Sequence, residues 1–134
     1  MVTPGKAGAR IMVVDDDPAL LGFTCKYLTR LGHTAVAYRS SEAAWKDFET
    51  SGVRYALALI DLSMPVISGE ELARMILNLD PEVRLILTSG YPFDTASLLD
   101  LRQDRLAFLH KPFTPAMLAE TMDRLLRHPK DHAD

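Results

Sequence analysis

The sequence of 134 residues has a single cysteine, Cys25, and lacks any long apolar run. One cysteine cannot form an internal disulfide, which favours a reducing compartment. The apolar runs fall far short of the roughly 20 residues that span a bilayer, and the N-terminus has no apolar signal core. These absences predict a soluble, cytoplasmic domain that makes no membrane contact.

The sequence also lacks a large excess of either charge. Lysine and arginine together number 15 against 18 acidic residues, so the formal net charge is -3. This charge is too small, and of the wrong sign, for a protein that binds nucleic acid directly by bulk electrostatic attraction. Hydrophobic residues make up 48% and charged residues 25%, which excludes a disordered chain.

Short apolar runs alternate with longer amphipathic stretches along the chain. Continuous apolar runs are typical of strands that are buried on both faces. Strands are expected at residues 11–14, 34–38, 57–60, 83–87 and 106–109. Helices are expected at about residues 18–31, 41–50, 69–80 and 94–103, and from residue 115 onward. Five such strand–helix units predict an α/β domain with a doubly wound parallel sheet and five helices on its two faces.

One domain accounts for nearly the whole chain, since about 100–200 residues per domain is usual. We place it at residues 10–127. Residues 1–9 and 128–134 lack apolar periodicity, which predicts a flexible lead-in and a flexible tail.

Local signals mark where several helices begin. Asp17 and Thr114 each precede a proline, the pattern of an N-cap followed by a first-turn proline. Ser68 and Glu71 have the spacing of a capping box. The apolar face of the predicted fourth helix, at about residues 94–103, is short.

Polar side chains follow the predicted strands at their carboxyl ends. Asp15 and Asp16 follow the first strand, Asp61 the third, Thr88 the fourth and Lys111 the fifth. Open parallel sheets bind ligands beyond this edge. Converging carboxylates repel each other, and a hard cation with oxygen ligands relieves the repulsion. Mg²⁺ is the natural candidate, because it also accepts phosphate oxygens.

The same residue types suit phosphoryl transfer to a carboxylate. Asp61 is already anionic at neutral pH, so it needs no general base to attack phosphorus. Lys111 offers a mobile positive charge and Thr88 a hydroxyl donor for the phosphoryl oxygens. The protein then has to align the groups and neutralise charge. The acyl phosphate product hydrolyses readily, which suits a reversible signal.

Four motifs in order, each after a predicted strand, make the chain resemble the receiver domains of two-component response regulators. The resemblance covers Arg10 to Arg127. Its motifs are Ile11-Met12-Val13-Val14-Asp15-Asp16-Asp17-Pro18, Ile60-Asp61-Leu62-Ser63-Met64-Pro65 with Gly69, Leu87-Thr88-Ser89-Gly90-Tyr91 and Phe108-Leu109-His110-Lys111-Pro112-Phe113.

The resemblance implies a role for each of these site residues. Asp61 is the expected phosphoacceptor, and Asp16 and Asp61 are expected to ligate Mg²⁺ directly. Asp15 is expected to act through water or as a further ligand, and the backbone carbonyl of Ser63 completes the set. Thr88 and Lys111 are expected to hold the phosphoryl oxygens.

The resemblance also implies a flavodoxin-like fold with strand order 2-1-3-4-5 and a cis peptide bond between Lys111 and Pro112. Phe108, which with Thr88 forms the expected switch pair, stands where many receivers have tyrosine and offers no hydroxyl to a partner. Ser63 and Gly90 are small, which predicts that water reaches the phosphoryl group and shortens its lifetime.

The leading functional hypothesis is a phosphoacceptor supplied by a histidine kinase or a histidine phosphotransfer protein, and not an enzyme with an external substrate. One alternative is a receiver-like interaction module that works without phosphorylation. A phosphatase with an aspartyl-phosphate intermediate is disfavoured, because enzymes of the haloacid-dehalogenase type need an acid where Ser63 stands. A stand-alone regulator and a receiver from a hybrid kinase both remain open, and a monomer is favoured.

Overall fold

The computed structural model of the chain describes residues 8–92 and 94–126. Within them, five β-strands and four α-helices follow one another along the chain. The strands are β1 (Arg10–Val14), β2 (Thr34–Tyr38), β3 (Leu57–Asp61), β4 (Arg84–Ser89) and β5 (Leu106–His110). The helices are α1 (Pro18–Arg30), α2 (Ser41–Ser51), α3 (Gly69–Leu79) and α4 (Pro115–Leu126). The expected lead-in and tail, at residues 1–7 and 128–134, lie outside the described residues.

The five strands form one parallel sheet in the order β2-β1-β3-β4-β5, which confirms the predicted topology. All of β3 is buried, whereas β2 at the sheet edge is partly exposed. β4 runs two residues beyond the predicted Leu87, because Thr88 and Ser89 still pair with β5. Thr88 therefore lies inside the strand and directly beside Asp61 of β3.

Apolar side chains alternate between the two faces of the sheet, so that each face builds its own core. The face covered by α2 and α3 includes Met12, Phe48, Ile60, Leu72, Ile76 and Leu87. The face covered by α1 and α4 includes Ile11, Leu28, Leu59, Ile86, Leu118 and Met122. Because helices cover both faces, the strands are continuously apolar, as the sequence predicted.

The predicted helix starts are confirmed by side-chain caps. The Asp17 carboxylate accepts the N–H of Ala19 at 3.0 Å. The Ser68 hydroxyl accepts the N–H of Glu71 at 3.1 Å, which is the first of the two bonds of a capping box. Each cap satisfies a donor that the first turn of a helix leaves unpaired, so these starts are set locally.

The predicted α-helix over residues 94–103 is wrong, and the fold has four α-helices in the described residues instead of five. Two 3₁₀ helices stand there, Thr95–Leu98 and Gln103–Arg105. The Asp94 carboxylate caps the first by accepting the N–H of Ala96. Leu98 is buried but the next residue, Leu99, is 68% exposed. A single buried leucine gives too little tertiary packing to sustain an α-helix.

Two further features bear on the sequence predictions. The peptide bond between Lys111 and Pro112 is cis, which confirms that expectation. Gly8 and Ala9, the last residues of the expected lead-in, hydrogen-bond to Gly32 and Thr34. None of the helices in the described residues combines the length and the apolar character needed to cross a membrane.

Candidate functional site

Three carboxylates meet at the carboxyl edge of the sheet. Asp15 and Asp16 follow β1, and Asp61 is the last residue of β3. One oxygen from each lies within 4.8 Å of the others. Asp15 and Asp61 are buried, whereas Asp16 is exposed to solvent. The prediction that these acids converge is therefore confirmed.

Lys111 joins the two buried carboxylates. Its Nζ lies 3.0 Å from Asp15 Oδ2 and 3.0 Å from Asp61 Oδ2. The other oxygen of each acid accepts a backbone N–H, from Asp17 at 2.9 Å and from Ser63 at 3.0 Å. Each buried carboxylate thus has a fixed orientation and a compensating positive charge nearby, which is what burial of a charge demands.

Hydrogen bonds between the chain segments that leave the strands hold this edge together. The N–H of Leu62 donates to the carbonyl of Thr88 at 2.9 Å, and the N–H of Lys111 donates to the carbonyl of Ser89 at 2.8 Å. Thr88 is 3% exposed and pairs in register with Asp61. The site residues are therefore positioned by the sheet itself and not by a free loop.

The start of α3 packs directly against the backbone of Asp61. A Cβ atom placed on Gly69 would lie 2.3 Å from the Asp61 carbonyl oxygen and 2.6 Å from Leu62 Cα. Backbone atoms cannot turn aside as a side chain can, so this position admits only glycine. The Gly69 N–H donates to the Leu62 carbonyl at 3.1 Å. Gly69 thus brings α3 against the residue that the sequence predicts as the phosphoacceptor.

Burial and pairing shift the protonation equilibria of the site. Burial raises the pKa of the Asp15 carboxyl, although the Asp17 N–H and the Lys111 ammonium oppose the rise. Burial lowers the pKa of Lys111, but hydrogen bonds to Asp15 and Asp61 outweigh it, so the pKa lies above its ordinary value. Lys111 therefore carries its positive charge at neutral pH.

The donor set fits a magnesium ion. Mg²⁺ prefers oxygen ligands, and three carboxylates offer them within a small volume. Asp16 faces solvent, so an ion held there can keep several of its waters, as Mg²⁺ does. A sulfur or imidazole ligand, which would favour a softer metal, is absent from this group of acids.

The sequence-predicted residues divide into two groups. Asp15, Asp16, Asp61, Thr88 and Lys111 come together at one edge of the sheet, and Ser63 borders them through its bond to Asp61. Phe108 stands apart from them. It pairs with Leu87 in the sheet and is partly buried against the core covered by α2 and α3.

The sequence analysis did not predict two features of the site. Lys111 holds Asp15 and Asp61 together, whereas only its use toward phosphoryl oxygens was predicted. A lysine placed among three acids at one sheet edge was the signal for this pairing. The close approach of Gly69 to Asp61 gave no signal beyond the glycine itself.

A family model for the response regulator receiver domain matches residues 11–123. The chain belongs to this family. It is the receiver domain of a two-component system, and the family's domains generally act in signalling and not as enzymes. Receivers take phosphate from histidine kinases and bind Mg²⁺ through an acidic cluster of the kind described above.

Individual relatives agree with this assignment. The receiver is 27% identical over 118 residues to the sensor kinase CckA of Brucella abortus, covering 88% of this chain and 12% of CckA. It is 26% identical to the response regulator receiver protein CpdR of the same organism, covering 87% of this chain and 96% of CpdR.

A solved structure shows the same fold. The response regulator TrrA of Thermotoga maritima, in complex with Mg²⁺-BeF, is 27% identical with a TM-score of 0.76. The match covers 87% of this chain and 98% of TrrA. The similarity therefore extends over most of this chain and nearly all of TrrA.

Proposed function

We propose that Asp61 accepts a phosphoryl group from a phosphohistidine donor, in a Mg²⁺-dependent reaction, and that this modification switches the binding of a partner. The observation that carries the proposal is the contact of Lys111 Nζ with both Asp15 and Asp61. It places an anionic nucleophile, a positive charge and a neighbouring acid within one hydrogen-bonded group, at the edge where open parallel sheets bind ligands.

The transfer exchanges one bond for another. An Asp61 oxygen bonds to phosphorus as the phosphorus–nitrogen bond of the donor breaks, and the electron pair of that bond stays on the imidazole. The Ser63 N–H already fixes the carboxylate plane of Asp61 at 3.0 Å, so little reorientation is needed. Lys111 can follow the new phosphoryl oxygens while staying near both acids, since its ammonium carries three donors.

The metal ligands carry over from the resemblance to receivers, and the meeting of Asp15, Asp16 and Asp61 supports them. Asp16 and Asp61 would bind Mg²⁺ directly, the Ser63 carbonyl would add a third ligand, and Asp15 would act through water or as a further ligand. The ion supplies positive charge to the phosphoryl oxygens when it is bound. Asp15 retains the Asp17 N–H as a partner whichever way Lys111 turns.

Thr88 and Phe108 would relay the change. Thr88 is buried beside Asp61, so a phosphoryl group on Asp61 offers its hydroxyl a new acceptor nearby. Phe108 lies on the neighbouring strand β5 and can change packing but cannot donate a hydrogen bond. The partner would therefore respond to shape and apolar surface at this position.

Ser63 and Gly90 would set the lifetime of the phosphorylated form. Both residues are exposed, and a Cβ placed on Gly90 would meet no atom within 4 Å. We infer that these two small residues let water approach a phosphoryl group on Asp61. We expect Gly90→Glu and Ser63→Asn to slow loss of the phosphoryl group, measured after removal of the donor.

Autophosphorylation with acetyl phosphate tests the proposal. The wild-type receiver should gain one phosphoryl group by mass spectrometry only when Mg²⁺ is present, and Asp61→Asn should gain none. Asp17→Asn is a matched control, because Asp17 caps α1 and is not assigned to the metal. A wild-type protein that stays unmodified would point to the phosphorylation-independent module, and turnover of an external phosphoester would point to a phosphatase.

A further inference from the structure

The segment from Asp94 to Arg105, here called the β4–β5 connection, is thinly anchored. Leu98 is its one buried side chain, at 1% exposure, and Leu101 is partly buried beside it. Its internal backbone hydrogen bonds each close a single turn, such as that from the Leu101 N–H to the Leu98 carbonyl. Few buried apolar contacts and exposed backbone bonds are the marks of a segment that opens locally.

Arg74 of α3 reaches across to this connection. Its Nη1 donates to Asp100 Oδ2 at 2.7 Å, and its Nη2 donates to Asp100 Oδ1 at 2.9 Å. Nη2 also donates to the backbone carbonyl of Ser97. A guanidinium that binds a carboxylate through two parallel hydrogen bonds forms one of the stronger polar contacts in proteins, and its geometry is specific.

Glu70 completes the arrangement one turn earlier on α3. Its Oε2 accepts from Arg74 Nε at 3.3 Å, and its Oε1 accepts from the Ser97 hydroxyl at 3.2 Å. The four residues Glu70, Arg74, Ser97 and Asp100, here called the latch, thus form a closed network. An isolated surface ion pair contributes little, but a network in which each side chain fixes the next contributes more.

Along the chain, the two sides of the latch lie close to segments that carry site residues. Glu70 directly follows Gly69, which packs against the Asp61 backbone. The connection itself begins shortly after Thr88 and ends at β5, which carries Phe108. A contact between α3 and the connection therefore joins the two chain segments that lead away from Asp61 and Thr88.

We propose that the latch is a conformational device that keeps the β4–β5 connection docked on α3. When the latch is released, the connection opens as a unit while the sheet stays folded. The docked state is also the resting state that phosphorylation must displace. This second part rests on the proposed function of Asp61, and the first part does not.

Amide hydrogen exchange of the unphosphorylated full chain tests the docking. Arg74→Ala should speed exchange at Leu99, Leu101 and Arg105 by about tenfold or more, because several charge-assisted bonds are lost. Exchange in β1, β3 and β4 should stay as in the wild type. Unchanged exchange in the connection, or an equal rise throughout the sheet, would overturn the proposal.

Two further variants distinguish loss of the latch from other effects of the Arg74→Ala substitution on exchange. Asp100→Asn removes the negative charge that Arg74 binds and leaves every residue of α3 unchanged. It should therefore speed exchange of the same amides. Arg102→Ala is the matched control, because Arg102 pairs with Asp104 inside the connection and does not reach α3. An Asp100→Asn variant that exchanges like the wild type, or an Arg102→Ala variant that exchanges like Arg74→Ala, would refute the latch.

Beryllofluoride binding with Mg²⁺ tests the link to Asp61. Arg74→Ala should bind this phosphoryl mimic about threefold more tightly or better than the wild type, since the resting state is no longer favoured. Equal affinity in the two proteins would overturn the link. A wild-type protein that binds no beryllofluoride would instead overturn the proposed function, and the exchange measurement would still decide whether the latch holds the connection.

Discussion

The carboxyl edge of the sheet and the β4–β5 connection follow closely along the chain but are held by different forces. At the edge, Asp15, Asp61 and Thr88 are buried, and backbone hydrogen bonds continue past the strand ends. In the connection, Leu98 alone is fully buried, Leu101 is partly buried, and side-chain contacts such as that of Arg74 with Asp100 supply further ties. The site is therefore preorganised, so that its residues need little rearrangement for the reaction. The connection, by contrast, can move when the site changes.

The largest expected effect compares two buried leucines. Leu87 in β4 and Leu98 in the connection are both almost fully buried. Leu87→Ala should lower the free energy of unfolding by about 4 kcal/mol, because the sheet cannot collapse around the cavity. Leu98→Ala should cost about 2 kcal/mol, since the connection can open locally instead. Urea denaturation measures the free energy of unfolding of both variants. Equal losses would contradict the distinction between the sheet and the connection.

The close approach of α3 to the site should be nearly as sensitive. Gly69→Ala should destabilise the fold by about 3 kcal/mol, because the added methyl meets the Asp61 backbone. Gly90→Ala is the matched control. A methyl group there meets open space, so its effect should stay within about 0.5 kcal/mol. Thermal unfolding of both variants is measured without added metal. A loss of stability in Gly69→Ala alone indicates the contact with the Asp61 backbone, whereas equal losses would indicate that glycine substitutions are poorly tolerated in general.

Removing the central positive charge should destabilise the site without disturbing the connection. Lys111→Met leaves Asp15 and Asp61 without their shared partner and should cost about 2 kcal/mol at neutral pH. Adding Asp61→Asn should recover part of the loss, because one of the two facing charges disappears. Denaturant titration of the single and double variants measures this, and a double variant no more stable than the single one would contradict the account.

Magnesium should stabilise the folded receiver by binding the acidic group. At ten times its Kd the ion should add about 1.4 kcal/mol to the free energy of unfolding. Thermal melts at millimolar Mg²⁺ should show the shift in wild type and lose it in Asp16→Asn. Glu49→Gln, which changes an exposed acid on α2, serves as the control. A wild-type melting temperature that does not change with Mg²⁺ would count against the proposed ligands.

The smallest expected effect concerns Val66, a strained residue that follows Asp61 closely in the chain. Val66 has a positive φ of 68°, and the Ile67 N–H donates to the Pro65 carbonyl across it at 2.8 Å. This conformation is costly for a β-branched side chain. Val66→Gly should raise the free energy of unfolding by about 1 kcal/mol, measured by urea denaturation. A loss of stability would show that the exposed valine makes contacts that outweigh its strain.

The sheet and the site residues could be predicted from sequence because their signals are local. Apolar runs such as residues 57–60 mark buried strands, and a parallel sheet brings together the residues that follow the carboxyl ends of its strands. Asp17 and Ser68 likewise cap helices within three residues of themselves. These inferences need no knowledge of what packs against the segment.

The connection could not be predicted in the same way. Asp94 supplies a helix N-cap, and Leu98 and Leu101 have helical spacing, so the local pattern favoured a helix. Whether it forms depends on how much apolar surface the neighbouring elements offer. Of the residues in the connection, only Leu98 is fully buried. The Gln103 side-chain amide donates to the carbonyls of Leu98 and Leu101 and closes the turn.

The sequence by itself predicted a doubly wound parallel sheet and the group of acids with Lys111 at one sheet edge, and its resemblance to receivers implied the strand order. The tertiary structure alone decided that Lys111 joins Asp15 to Asp61, that Gly69 touches the Asp61 backbone and that Arg74 binds Asp100, 26 residues away. The reason is physical. Periodicity and capping act over a few residues, whereas a contact between distant segments depends on where the whole fold places them.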